Sequence, residues 1–532
     1  MMDLKAALLV VASAGLLLVQ AVQGERIRQE GIGGSLRASH AATHVRAGET
    51  VHYTGAVLEY EPYNTWTEEG GGAILRENVK VIAEYAAAAK AMGADILVAP
   101  EYGLNGLDMH VLVPDELLSF TQVVPDPRDL VVPCTNDDLD QAAAIKALSC
   151  SALENQMYLV VDVAELTHCS EGDGTASCPP SGNILHNTQV VFDRNGTVIA
   201  RYRKKNLFLE WQFRPGTESD DTALFATDFG VTFTLQVCFD IAFGHPGLYN
   251  VDSRGVRDVA MSTAWVDVMP FLIAPSVQNG WSRGLGVNLL VSGHHRPERS
   301  KLGSGIYRGG SDLEHDYVYD TESGSRLIVS EVQTVASANG RRPPRRPSQS
   351  NSSASLRKAQ GNRLPRRDHL LYHDDLSNYT QVVLAKGDSQ VVQHAEACHE
   401  DGLCCHLLYT PTGNLTYSLL SYSGTVVQGF GEYQIYAQIC AVVWCRSEDV
   451  ATCGQLEDGL PANDVFPTFT IYADFSVDHV YPAMFTRDLV LVENDLYDYG
   501  CDDQRSCTIS TSAAVPDLMT AGFYGRWYER DP

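Results

Sequence analysis

The sequence predicts an α/β domain followed by a smaller β-rich, disulfide-stapled C-terminal domain. Three observations carry this. Apolar strand-like runs alternate with helix-forming stretches as far as residue 335, a basic polar segment then interrupts the chain, and short β-branched and aromatic runs with eight cysteines fill the remainder. At 532 residues, 44% of them hydrophobic, the chain is long enough to bury a large core in more than one domain.

The first segment, "MMDLKAALLVVASAGLLLVQAVQG", sets Lys5 ahead of an apolar run from Ala6 to Val19 and small residues before Gly24, the pattern of a secretory signal peptide over 1–24. The run is shorter than the ~20 residues that span a bilayer. No later stretch qualifies, and the end "AGFYGRWYERDP" has no lipid-anchor tail. The expectation is a secreted, extracellular protein with no transmembrane segment.

The α/β domain is expected over 45–335. Residues 51–60 predict a strand. "AILRENVKVIAEYAAAAKAM" has apolar residues at three and four spacing and predicts a helix over 73–92 with Gly93 as its C-cap. "DILVAP" is a short buried strand ended by Pro100, which leaves Glu101 at its carboxyl tip. A helix over 138–155 and the strand "MYLVVDVAEL" follow. "ILHNTQVVFDRNGTVIARYRKKNLF" predicts a hairpin with a type I′ turn at Asn195-Gly196. On its return strand, Val198, Ala200, Tyr202 and Lys204 share the more apolar face, and Arg201, Arg203 and Lys205 share the other. "GVTFTLQVCFD", "RDVAMSTAW" and "VNLLVSGHH" predict further strands, with a short helix "SVQNGWSRGLG" between the last two.

At "GRRPPRRPSQSNSSASLRKAQGNRLPRR" almost nothing is apolar, which predicts a basic Pro/Ser-rich disordered linker over 340–368. Beyond it, "QVVLAK", "HLLYT", "GEYQIYAQICAVVWC" and "FPTFTIYADFSV" predict strands of a second domain over 370–530.

The formal charge of -27 argues against nucleic acid, whose phosphates require a basic face. Four sequons, at Asn195, Asn351, Asn378 and Asn414, are candidate glycosylation sites in the secretory pathway. Of the 13 cysteines, Cys134, Cys150, Cys169 and Cys178 form one even group, and Cys398, Cys404, Cys405, Cys440, Cys445, Cys453, Cys501 and Cys507 form another. Oxidising conditions favour pairing within each group. "CHEDGLCCH" mixes Cys and His, but no second C-x-x-C half follows it, so no metal site is expected. Cys238 stands apart in "LQVCFDIAFGHPG", either a buried inert thiol or one kept free for chemistry.

An α/β sheet presents reactive groups at the carboxyl ends of its strands, and Glu101 in "PEYGLNG", Lys204 in "YRKKN" and Cys238 in "CFD" all occupy such positions. In these motifs and their order the chain resembles the nitrilase superfamily of carbon-nitrogen hydrolases. "RYRKKNLF", "CFDIAF", "STAW", "GSGIY", "LCCHLLY" and the terminal "GRWYE" resemble its secreted vanin and biotinidase branch across both domains.

The resemblance implies an α-β-β-α sandwich that hydrolyses a linear amide through a thioester on Cys238, with no metal or organic cofactor. It implies Glu101 as proton acceptor and donor, and Lys204 as oxyanion stabiliser, aided by the backbone N–H after the nucleophile. A cationic Lys204 near the sulfur is expected to lower the thiol pKa. Many superfamily members carry an Arg four residues after the nucleophile, where this chain has Ala242. The implied partner is a small amide. Pantetheine is preferred, biocytin is the alternative, and a catalytically silent secreted binding protein of the same fold is the reading from another class. Trp265 is a candidate substrate-binding residue, and His245, His294 and His295 are left unassigned. A papain-like protease would need a histidine base and a different nucleophile context than "QVCFD".

Overall fold

Strand β1 (Thr50–Glu59) shows how the first domain is layered, because alternate side chains enter different cores. Val57 faces one cluster of buried residues, while Ala56 and Leu58 face another. The computed structural model describes residues 50–67, 69–106, 117–170, 178–217, 223–309, 315–335, 369–387, 391–411, 413–456 and 464–532. The expected signal peptide at 1–24, the linker at 340–368 and the Asn351 sequon lie outside them.

After β1 come α1 (Gly71–Ala91), β2 (Ile96–Val98), α2 (Ala143–Asn155), β3 (Tyr158–His168), β4 (Asn183–Phe192) and β5 (Val198–Arg203). The chain continues through β6 (Leu224–Ala226), β7 (Thr232–Val237), α3 (Tyr249–Arg254), β8 (Asp258–Ser262), β9 (Val268–Met269) and α4 (Ala274–Leu285). Strands β10 (Asn288–Ser292), β11 (Ser304–Arg308), β12 (Asp316–Val318) and β13 (Arg326–Val335) complete the domain.

Twelve of these strands form two six-stranded sheets, ordered β13-β1-β2-β3-β4-β5 and β12-β11-β10-β8-β7-β6, and β9 pairs outside them with Tyr372–His373. Val57, Val98 and Val160 of the first sheet share a core with Phe233, Val237 and Leu290 of the second, so the sheets lie face to face. On the other side of the first sheet, Ile74 and Ile82 of α1 and Ile145 and Leu148 of α2 pack with Leu58, Leu97 and Leu159. Helix α4 packs on β10 and β11 of the second sheet. The result is the α-β-β-α sandwich.

Two local expectations change. The helix at 138–155 starts only at Ala143, because Gln141 adopts φ 48° and interrupts the α conformation ahead of it. The β4–β5 turn is not type I′, since Gly196 has φ 74° while Asn195 keeps a negative φ. Asp193 makes this turn instead: its Oδ1 accepts from the N–H groups of Asn195 and Thr197. A Cβ at Gly196 would fall 2.5 Å from the Ser149 carbonyl oxygen, so glycine is required there on both counts.

The described residues of the second domain form two five-stranded antiparallel sheets and a small two-stranded one, Val465–Phe466 with Val515–Pro516. One is built around Thr416–Gln428, Tyr433–Cys445 and Leu518–Arg526, the other around Cys404–Tyr409, Phe469–Asp474 and Ser506–Thr511. Cys405–Cys440 joins the two sheets through the core, and Cys398–Cys404 and Cys501–Cys507 each tie neighbouring strands. Helix α4 is nearly all buried because its other side meets His479–Thr486 of this domain. Gly280 permits that approach, since a Cβ there would lie 2.5 Å from the Pro482 carbonyl oxygen. Among the described residues, no helix is long and apolar enough to cross a membrane.

Candidate active site

Each of the three residues singled out at strand ends lies just past its strand. Glu101 follows β2, Lys204 is the residue after β5, and Cys238 is the residue after β7. Burial alternates along β5, with Val198, Ala200 and Tyr202 inside, and this period carries Lys204 to the interior at 1% exposure.

Cys238 is free and buried, while the other twelve cysteines form six bridges. Its backbone takes φ 47°, a left-handed conformation that costs a non-glycine residue about 1–3 kcal/mol. Asp240 holds this turn. Its Oδ2 accepts from Val237 N and Tyr202 Oη, both at 2.9 Å, and its Oδ1 accepts from Asn206 N at 3.1 Å and Nδ2 at 2.7 Å. Tyr202 and Asn206 flank Lys204 in sequence, so one carboxylate locks the cysteine turn to the lysine segment.

The Lys204 ammonium donates to Glu101 Oε1 at 2.7 Å and to Glu210 Oε2 at 2.5 Å. Asn187 Nδ2 donates to Glu101 Oε1 at 2.9 Å and to Glu210 Oε1 at 2.6 Å, and Tyr102 Oη also donates to Glu210. Glu101 Oε2 accepts from Ala264 N at 2.9 Å. That oxygen keeps lone-pair capacity for a proton.

Burial alone pushes the Lys204 ammonium down, but Glu101, through its charge and its hydrogen bond, together with the charge of Asp240, raises it and leaves the lysine cationic. Burial pushes Glu210 and Asp162 well up, and the charge of Glu101 adds to both shifts. The thiol departs from expectation. Burial, followed by the charge of Glu101, pushes Cys238 up to about 12, against the opposing pull of Lys204, Lys301 and Thr263. The lysine is present, yet desolvation dominates and the resting sulfur is a neutral thiol.

Cys238 opens onto a cavity of about 450 Å³ built by both domains. Phe239, Trp265, Phe271 and Leu272 supply carbon surface from the first, and Gln428 and Tyr524 face them from the second. Trp265 is fixed on this wall by its Nε1 donating to Leu272 O at 2.9 Å. Ala242 also lines the cavity, and its carbonyl accepts from Arg526 Nε at 3.1 Å and Nη2 at 2.9 Å, so an arginine reaches the position from the other domain.

The histidines lie elsewhere in the network. His294 Nε2 contacts Glu101 O, and burial holds its ring down at about 3, which keeps it neutral. His295 pairs with Glu59 at 3.1 Å, and His245 stacks on Tyr249. Asn195, Asn378 and Asn414 are exposed. Glu210, Asn187, Asp240 and Lys301 were not anticipated. The one available signal was a carboxylate at Glu210 within the apolar stretch "NLFLEWQF".

Comparison with known proteins matches residues 73–262 to the carbon-nitrogen hydrolase family and residues 368–531 to the vanin C-terminal domain. The chain is 30% identical over 496 residues to human (Homo sapiens) pantetheinase, covering 90% of each chain. The chain belongs to the vanin and biotinidase branch of the carbon-nitrogen hydrolases. Pantetheinase from Bos taurus is 30% identical, with 93% of this chain and 91% of the relative covered, and biotinidase from the same species is 29% identical, with 90% and 93% covered. In this branch member the vanin-type domain thus contributes walls to the cavity beside Cys238.

Proposed function

We propose that this protein is a secreted amidohydrolase that cleaves a linear amide through a Cys238 thioester. The observation that carries the reading is the lone unpaired thiol, held in a strained turn at a largely apolar cavity and electrostatically coupled to Glu101 and Lys204. The signal peptide and the six bridges support secretion.

Because the thiol rests neutral, its proton passes to Glu101 as the sulfur attacks the substrate carbonyl carbon. Lys204 holds positive charge beside the oxyanion that develops there, together with the Phe239 N–H. The C–N bond breaks as Glu101 returns the proton to the amine, which departs. A water molecule then gives a proton to Glu101 while its oxygen attacks the thioester. Collapse releases the acid and restores the thiol. None of these steps draws on a cofactor.

Pantetheine, cleaved to pantothenate and cysteamine, is the favoured substrate, supported by likeness to two pantetheinases across nearly the whole chain. Biocytin is the second reading, supported by similar likeness to a biotinidase. The test is to incubate the native protein and Cys238→Ala with each amide. Release of cysteamine by the native protein alone is expected. Release of neither cysteamine nor biotin removes both substrates, and equal turnover by the variant removes Cys238 as nucleophile.

A further inference from the structure

The loop that carries Glu210 is held by a side chain from the second domain. Leu209, the residue before Glu210, takes φ 56°, a left-handed conformation that a leucine keeps only where its surroundings enforce it. Two hydrogen bonds do so. Phe208 N–H donates to Glu210 Oε2 at 2.8 Å, and the same oxygen accepts from Lys204 Nζ at 2.5 Å, so the turn of the loop and the position of the ammonium depend on one atom. Leu209 N–H donates to Tyr433 Oη at 2.6 Å. Tyr433 is the first residue of the strand Tyr433–Cys445 in the second domain. Its ring also reaches the turn of the nucleophile. It stacks on Phe208 with centroids 5.4 Å apart and meets Phe239 edge-on at 5.0 Å, while Phe208 meets Phe239 at 4.9 Å. Phe239 directly follows Cys238, so three mutually packed rings join the Glu210 loop to the Cys238 turn.

We propose that Tyr433 is a positioning residue for the reaction: its hydroxyl keeps Leu209 in the left-handed turn and thereby keeps Glu210 on Lys204, so the second domain acts on the chemical step and not only on the shape of the cavity. This rests on the amide-hydrolase reading and adds a residue to it. The strain at Leu209 favours release of the turn once the hydroxyl stops accepting its N–H. Release moves the Glu210 carboxylate, and with it the ammonium that faces the developing oxyanion. Phe208 and Phe239 line the cavity, whereas Tyr433 does not. Its hydroxyl is engaged with the backbone of the loop, so its effect falls on turnover rather than on substrate affinity.

The experiment uses the full chain, with pantetheine and biocytin as substrates, and compares the native protein with Tyr433→Phe, Glu210→Gln and the double variant. Tyr433→Phe keeps the ring contacts and removes only the acceptor. It should lower kcat about tenfold, the weight of one hydrogen bond, with KM within about twofold of the native value. The double variant should be no slower than Glu210→Gln alone, because the hydroxyl acts through that carboxylate. A merely structural role would multiply the two losses. Hydrogen exchange at the Leu209 amide needs no turnover, and it should be about tenfold faster in Tyr433→Phe. An unchanged kcat, multiplied losses in the double variant, or unchanged exchange at Leu209 each overturns the inference. Absence of turnover by the native protein on both amides, with faster exchange in Tyr433→Phe, counts against the hydrolase reading and leaves the hold of Tyr433 on the Glu210 loop standing.

Discussion

Glu101 and Glu210 share one ammonium: Lys204 Nζ lies 2.7 Å from the first carboxylate and 2.5 Å from the second. All three side chains are buried. Glu210 therefore fixes Lys204 from a loop rather than from the sheet, and it is a positioning residue rather than a reacting one. Glu210→Gln is expected to lower kcat by about 10²-fold with a smaller change in KM, the size of effect seen when an electrostatic stabiliser is displaced. Steady-state kinetics check this. An unchanged kcat in a folded variant removes the role.

Asp240 accepts four hydrogen bonds and lies two residues after Cys238. Asp240→Asn points an NH₂ group at donors and should cost about 2–3 kcal/mol, while Tyr202→Phe, which removes one donor, should cost about 1 kcal/mol. Urea unfolding measures both. The larger loss should come with the larger fall in activity.

The neutral thiol has a pH signature. With Cys238 pushed up to about 12 from an ordinary value near 9, stability from the protonated native thiol is fully present below pH 9 and is lost as pH rises towards 12. Cys238→Ala should therefore lose less stability than the native protein over that window. Iodoacetamide should alkylate native Cys238 at pH 7 about three orders of magnitude more slowly than free cysteine, since only the thiolate reacts. Rapid labelling of the resting protein would contradict the assignment.

Cys405–Cys440 joins the two sheets of the second domain across 35 residues of chain. Replacing both cysteines by alanine should cost about 4 kcal/mol on the chain-entropy account. Calorimetry reads this as a lower Tm. Because the cavity draws on strands of the same domain, activity should decline at a lower temperature as well.

The order of strands and helices was legible in the sequence because the signals were local, whereas the sandwich layering followed only from the family resemblance. Apolar runs marked β2, β3 and β7, and alternation on β5 sorted Lys204 from Lys205. Strand ends pointed to Glu101, Lys204 and Cys238, and the cysteine count singled out the last. Other features depended on distant contacts. The turn at Gly196 followed from the Asp193 side chain and the nearness of Ser149, neither visible as a hairpin pattern. Glu210 is one carboxylate in an aromatic loop until Lys204 and Asn187 are seen against it. The raised thiol pKa is not legible in the sequence because a neighbouring lysine can be inferred from order along the chain, whereas complete burial cannot.

The cavity beside Cys238 takes Gln428, Tyr524 and Arg526 from a separate stretch of chain. Recognition, on the proposed reading, is thereby shared between two modules, and the later one can reshape the cavity while the turn that holds Cys238 stays with the first. A chimera bearing a relative's C-terminal half should inherit the donor's substrate choice, which makes the later domain the place to engineer selectivity.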